Sequence, residues 1–222
     1  MSPVPLENPR FTGEFDAVLC DLDGTLIDST PAVIRCWTRL AVEEGLDPRR
    51  LMHMHGMPAE QLLARLLPAE RVPAALARII ALEESDTAGV VALPGARELF
   101  DSLPENKRAI VTSCTRTLAL VRLREAGITP PATLVSFDDV TNGKPHPEPF
   151  QLGAERLGVS PARCLVVEDA PAGLAAGRAA GSTTLGTAGT HPAHELNADC
   201  VTDSLARVTA IETNGVLTIS VV

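Results

Sequence analysis

Short apolar runs alternate with helix-like stretches along most of the chain. Ala17–Cys20 reads AVLC and leads straight into the acidic, glycine-containing segment DLDGT. Similar runs recur as AIVT at 109–112, TLVS at 133–136, CLVV at 164–167 and TTLG at 183–186. Runs this short and this apolar suit strands buried on both faces of a parallel sheet. Helical periodicity fills the intervals at 95–103, 115–126, 147–157 and 171–180. The alternation predicts an α/β fold, with a parallel sheet covered by helices on both faces. Ligands of such sheets sit beyond the carboxyl ends of the strands, where DLDGT, TSCT and VVEDAP are expected to converge.

Between 29 and 90 the pattern changes. Thr30 is expected to cap a helix with Pro31 at its first position, and Val33, Ile34, Trp37, Leu40 and Ala41 to form its apolar face. A second helix is predicted from Pro58 through Leu67, and a third over the alanine-rich stretch 73–87. No strand alternation is visible there. The expectation is a small helical cap, 29–90, inserted after the first strand of a core made of 1–28 and 91–222. Its joints fall near 27–29 and 91–94. The tail GVLTISVV at 215–222 is expected to add a final strand at an edge.

Composition narrows the function. A chain of 222 residues with 45% hydrophobic and 21% charged side chains can bury a substantial core. The net charge is -9, and Lys107 and Lys144 are its only lysines. That balance excludes broad nucleic-acid binding, which relies on neutralising many phosphates. It leaves room for a small anionic metabolite in one local pocket. Five widely spaced cysteines form no zinc-like cluster and point to reduced thiols in a cytoplasmic protein; Cys20 and Cys164, in strand-like runs, are expected in the core. No stretch approaches the roughly 20 apolar residues of a membrane span. A monomer is expected, since no long exposed apolar helix is apparent.

Chemistry concentrates at the strand ends. Asp21 and Asp23 stand two positions apart after the first strand. Close carboxylates invite a cation or proton-transfer chemistry, although DxDGT alone also suits a structural loop or a calcium-like site. Gly24 permits a turn, and the Thr25 hydroxyl can donate to a phosphate oxygen. Thr112 and Ser113 can offer hydroxyl and backbone donors. Lys144 can oppose developing negative charge, and Glu168 and Asp169 can complete an oxygen-ligand magnesium site.

Four segments in order, DLDGT at 21–25, TS at 112–113, GKPHPEPF at 143–150 and VVEDAPAGLAAGRAAG at 166–181, resemble the motifs of the haloacid dehalogenase-like hydrolases. The resemblance spans nearly the whole chain. It is closest to the small-helical-cap branch of sugar-phosphate, glycerol-phosphate and phosphoglycolate phosphatases. It implies a Rossmann-like core and Mg2+-dependent hydrolysis of a small phosphomonoester. Asp21 would be the nucleophile and a metal ligand. Asp23 would protonate the leaving group, then help deprotonate water, while its carbonyl meets the metal. Ser113 and Lys144 would hold the phosphoryl group, Asp169 would ligate Mg2+, and Glu168 would support it.

Substrate choice is expected to lie in the cap. In similar phosphatases the histidine-glycine segment faces the active site, which singles out His55 and Gly56. Those relatives commonly read HGxRT, whereas this chain reads His55-Gly56-Met57-Pro58-Ala59 and lacks the arginine. Cys114 also replaces a glycine common in TSGT. A sugar phosphomutase and a non-catalytic phosphate-binding protein are the alternatives. A phosphonate-cleaving relative would need a cap lysine, and a dehalogenase would lack Asp23.

Overall fold

A computed structural model describes residues 11–51 and 59–222. Six parallel strands form the central sheet: β2 (Ala17–Cys20), β5 (Arg108–Val111), β6 (Leu134–Val135), β7 (Cys164–Glu168), β8 (Thr183–Thr187) and β9 (Cys200–Thr202), in the order β6-β5-β2-β7-β8-β9. The first apolar run lies at the centre, with Leu19 opposite Ala109 on one side and Val166 on the other. All four residues of β2 are buried. Ala17 and Leu19 face the apolar layer of α6 (Glu148–Leu157) and α7 (Pro171–Ala179), which contributes Phe150, Ala154 and Ala176. Val18 and Cys20 face the opposite layer, with Phe100 of α4 (Ala96–Ser102) and Leu123 of α5 (Arg116–Ala126). Side chains alternating across the pleat therefore feed two cores from one strand. Cys20 and Cys164 are buried free thiols.

The helix-rich stretch forms α1 (Thr30–Glu44), α2 (Ala59–Leu66) and α3 (Val72–Ser85), and no strand occurs among its described residues. The short strands β3 (Ile27–Asp28) and β4 (Val91–Ala92) pair antiparallel at its two ends. Ser29, rather than Thr30, is the cap of α1; its side chain makes no capping bond, and Asp28 Oδ1 accepts from the Thr30 amide at 3.0 Å. The buried stripe runs through Ala32, Cys36, Leu40 and Ala41, while Ile34 is exposed. The expected face was thus rotated, because Cys36 and Ala32 pack against Leu63, Ile79 or the core.

The tail departs most from expectation. β11 (Val216–Val221) is the middle strand of a separate antiparallel sheet, between β1 (Phe11–Phe15) and β10 (Val208–Thr213). Leu217, Ile219 and Val221 point into the core on one face. Asn214 and Gly215, both at positive φ (51° and 82°), turn β10 into β11, the geometry that an Asn-Gly hairpin favours. Among the described residues, no helix is long and apolar enough to cross a membrane.

Candidate active site

The carboxyl ends of β2, β5 and β7 meet at one pit. The Asp21 amide still bonds to the Val167 carbonyl at 2.9 Å, so β2's ladder carries this residue to the sheet rim. Beyond it the chain folds back, with the amides of Leu26 and Ile27 on the Leu22 carbonyl. Gly24 sits at φ 85°, and a Cβ there would lie 2.1 Å from Asp169 Oδ2. Both the turn and the close approach require glycine at this position.

Lys144 holds the pit together. Its Nζ donates to Asp21 Oδ1 at 2.6 Å, Glu168 Oε1 at 2.8 Å and the Val111 carbonyl at 2.8 Å. All three ammonium donors are thereby used. Glu168 Oε2 accepts from the amides of Asp169 and Ala170, both at 2.9 Å. Asp169 accepts from the Thr25 hydroxyl at 3.4 Å and from Thr190. Thr25 is buried, and its hydroxyl is turned toward this carboxylate.

Oxygens of Asp21, Glu168 and Asp169 lie within 4.8 Å of one another. These residues are only 7%, 2% and 5% exposed, so water screens their repulsion poorly. Burial pushes the Asp21 carboxyl well up against the pull of Lys144, with Glu168 and Asp169 adding to the rise. Burial and then Glu168 raise Asp169 to about 7. Burial opposes the charge on Lys144, yet Asp21 and Glu168 hold its pKa above the usual lysine value. Three carboxylates against one ammonium leave excess negative charge among hard oxygen donors. That donor set fits a divalent cation such as Mg2+ and offers no soft ligand for zinc.

Asp23 faces a different group of residues. Its Oδ1 accepts from Arg122 Nη1 at 2.9 Å and its Oδ2 from the Cys114 thiol at 2.9 Å. Arg122 Nη1 also donates to Cys114 Sγ at 3.2 Å, and Nη2 lies 3.6 Å from Glu83 Oε1 on α3. Burial opposes the guanidinium, but Asp23, Cys114 and Glu83 together hold its pKa above the ordinary arginine value. Burial, then Asp23, drives the Cys114 thiol well up, away from thiolate chemistry.

Of the other expected site residues, Ser113 is exposed just past the end of β5, and the Thr112 hydroxyl accepts from the Cys114 amide at 3.1 Å. His55 and Gly56 lie outside the described residues, as does Pro58. The ring of His146, in the GKPHPEPF segment, accepts from the Glu148 amide at 3.2 Å. Sequence reasoning missed Arg122, Glu83 and Thr190. For Arg122 a signal existed: it occupies the core stripe of α5 beside the buried Leu118, Ala119, Leu123 and Ala126, where a charged residue needs a buried partner.

The profile of the haloacid dehalogenase-like hydrolases matches residues 15–181. The chain is 39% identical over 200 residues to hexitol phosphatase A of Escherichia coli (strain K12), covering 86% of this chain and 92% of that protein. It is 34% identical over 233 residues to 2-deoxyglucose-6-phosphate phosphatase 1 of Saccharomyces cerevisiae, covering 90% and 93%. The crystal structure of a hydrolase from Pseudomonas syringae superposes with a TM-score of 0.75 at 27% identity, over 86% of this chain and 94% of that one. With its motifs at the matching strand ends, the chain belongs to the haloacid dehalogenase-like hydrolase family.

Proposed function

We propose that this haloacid dehalogenase-like phosphatase hydrolyses a small sugar or polyol phosphate, with Mg2+ as cofactor, through a phosphorylated Asp21. The observation that carries the reading is the buried set of Asp21, Glu168 and Asp169 around a fully engaged Lys144. The names of the relatives, a hexitol phosphatase and a deoxyglucose-6-phosphate phosphatase, support the substrate class.

Asp21 and Asp169 would hold the cation with the backbone carbonyl of Asp23, and Glu168 would support them. When bound, the cation supplies positive charge that lets a carboxylate approach a phosphate dianion. Asp21 attacks phosphorus as the bond to the ester oxygen breaks. Asp23 gives its proton to that departing oxygen, then takes one from the water that opens the aspartyl phosphate. Lys144 keeps Asp21 oriented and balances charge on the phosphoryl oxygens. Ser113 adds donors to those oxygens, as phosphoryl transfer depends on position and charge stabilisation. Residues 29–90 act as a cap over this pit, and His55 and Gly56 read the organic part of the ester.

The test is phosphate release with Mg2+ across hexitol, deoxysugar and glycerol phosphates, phosphoglycolate and nucleotides. Native protein is expected to turn over a sugar or polyol ester, and Asp21→Asn to lose on the order of 10⁴-fold or more in kcat. Absence of Asp21-dependent release from every ester sinks the reading.

A further inference from the structure

Arg122 is a charged side chain only 5% exposed, set in the apolar stripe of α5. Burying a guanidinium is costly unless its donors are matched, so its partners define its role. A purely structural pair would favour the two-pronged grip of a guanidinium on one carboxylate. Arg122 is arranged otherwise. Nη1 is divided between Asp23 Oδ1 at 2.9 Å and Cys114 Sγ at 3.2 Å, and Nη2 reaches toward Glu83 at 3.6 Å. Glu83 is itself fixed by the Trp37 indole N–H of α1 at 3.2 Å. The Asp23 side chain remains 26% exposed, so the carboxylate that Arg122 grips is not sealed from solvent.

We propose that Arg122 is a positioning residue for Asp23, and that Glu83 makes this positioning depend on the seating of α3. The inference rests on Asp23 acting as the acid of the phosphatase reaction. By holding Oδ1 from the α5 side, Arg122 fixes the plane of the carboxylate and leaves Oδ2, which accepts from the Cys114 thiol in the ionised state, as the oxygen that must take up the proton it later delivers. The Asp21–phosphorus bond forms, the phosphorus–ester oxygen bond breaks, and the Asp23 proton moves to that oxygen. Glu83 and Trp37 come from the helical insertion, so displacing α3 loosens the second arm of Arg122 and with it the aim of Asp23.

The nature of the leaving group separates this role from mere support of the fold. An alkoxide needs the proton from Asp23, whereas 4-nitrophenolate leaves without it. The value of kcat/KM reports the steps up to formation of aspartyl phosphate, in which that proton is spent. In Arg122→Met, kcat/KM for a hexitol phosphate is expected to fall about tenfold further than for 4-nitrophenyl phosphate. Arg122→Lys should recover part of the difference, and Glu83→Gln should show a smaller shift of the same sign. Equal losses on both esters in Arg122→Met overturn the proposal. Circular dichroism checks each fold. If the methionine variant does not fold, an unchanged ester ratio in both Arg122→Lys and Glu83→Gln overturns it instead. A native enzyme inactive on both esters defeats the phosphatase reading itself, and this inference with it.

Discussion

Two carboxylates of one short loop live in opposite settings. Asp21 bonds to Lys144, and Lys144 spends its remaining donors on Glu168 and Val111, all within the parallel-sheet core. Asp23 bonds to Arg122, and Arg122 reaches on to Glu83 in the helical insertion. The first pair is sealed, with side-chain exposures of 9% and 6%; the second leaves Asp23 partly open. The difference suits the two tasks proposed for them. A nucleophile gains from one fixed line of attack, whereas an acid that later serves as base must meet both the ester oxygen and water.

The comparison breaks most visibly if each cation is removed in turn. Lys144→Met leaves Asp21 and Glu168 facing each other in a dry pit, with the Val111 carbonyl also unpaired. A loss of about 3–5 kcal/mol of stability is expected, as for other broken buried pairs. Arg122→Met leaves the more open Asp23 and a Glu83 that retains Trp37, so a loss of about 1–3 kcal/mol is expected. Urea unfolding of the two variants side by side measures the gap. Arg122→Met proving the more damaging would show that the seam of Asp23, Arg122 and Glu83, rather than the pit, carries the structural charge balance.

A second experiment sharpens the reading of the pit. Without a cation, and above the raised Asp169 value of about 7, ionised carboxylates outnumber the one ammonium, so removing one negative charge should relieve the fold. Asp169→Asn keeps an oxygen for Thr25 or Thr190 while deleting the charge. The metal-free variant is expected to melt higher, by about 2–4 °C for each kcal/mol of repulsion relieved. It should also lose most of the Mg2+-induced rise in Tm expected of the native protein. Thermal scans with chelator and with Mg2+ read both effects. A lower Tm in chelator would mean that the hydrogen bonds of Asp169 outweigh the repulsion, and the argument from excess charge would fall.

The pit was legible and the seam was not, for a physical reason. Asp21, Thr112 and Asp169 each follow an apolar strand and Glu168 ends one, so their place at the sheet rim follows from local pattern and the rule for parallel sheets. Lys144 lies in a loop without such a strand; its place came from the resemblance of its segment. Arg122 lies mid-helix and Glu83 in the last turn of α3, 99 and 60 positions from Asp23, and only packing of α3 and α5 brings them to it. An arginine in the stripe Leu118, Ala119, Leu123, Ala126 announces a buried partner without naming it. The second sheet was hidden differently. β10 is mostly exposed and mixed in polarity, and β1 carries only Phe11 and Phe15 as large apolar residues, so neither stands out as an apolar run. The Asn214-Gly215 turn was the available signal, and it would have paired β11 with β10 in place of an edge position.

The smallest expected effect belongs to Cys114, which stands on the Asp23 side with a nucleophilic atom and no nucleophilic task. Its thiol donates to Asp23 Oδ2 and accepts from Arg122, and burial with the neighbouring carboxylate keeps it protonated. Thiols in that state react slowly with alkylating agents. Native protein treated with iodoacetamide near neutral pH is therefore expected to keep its activity over the time in which an exposed thiol is consumed. Cys114→Ser retains a donor to Oδ2 on a shorter bond, and should change kcat/KM for an alkyl ester by less than about fivefold, near the net worth of one hydrogen bond. Rapid inactivation, with the label found on Cys114 by mass spectrometry, would contradict this. It would mean that Asp23 and Arg122 activate the thiol, and that the two sides of the loop differ less than their geometry implies. A loss in Cys114→Ser as deep as that of Asp21→Asn would carry the same message.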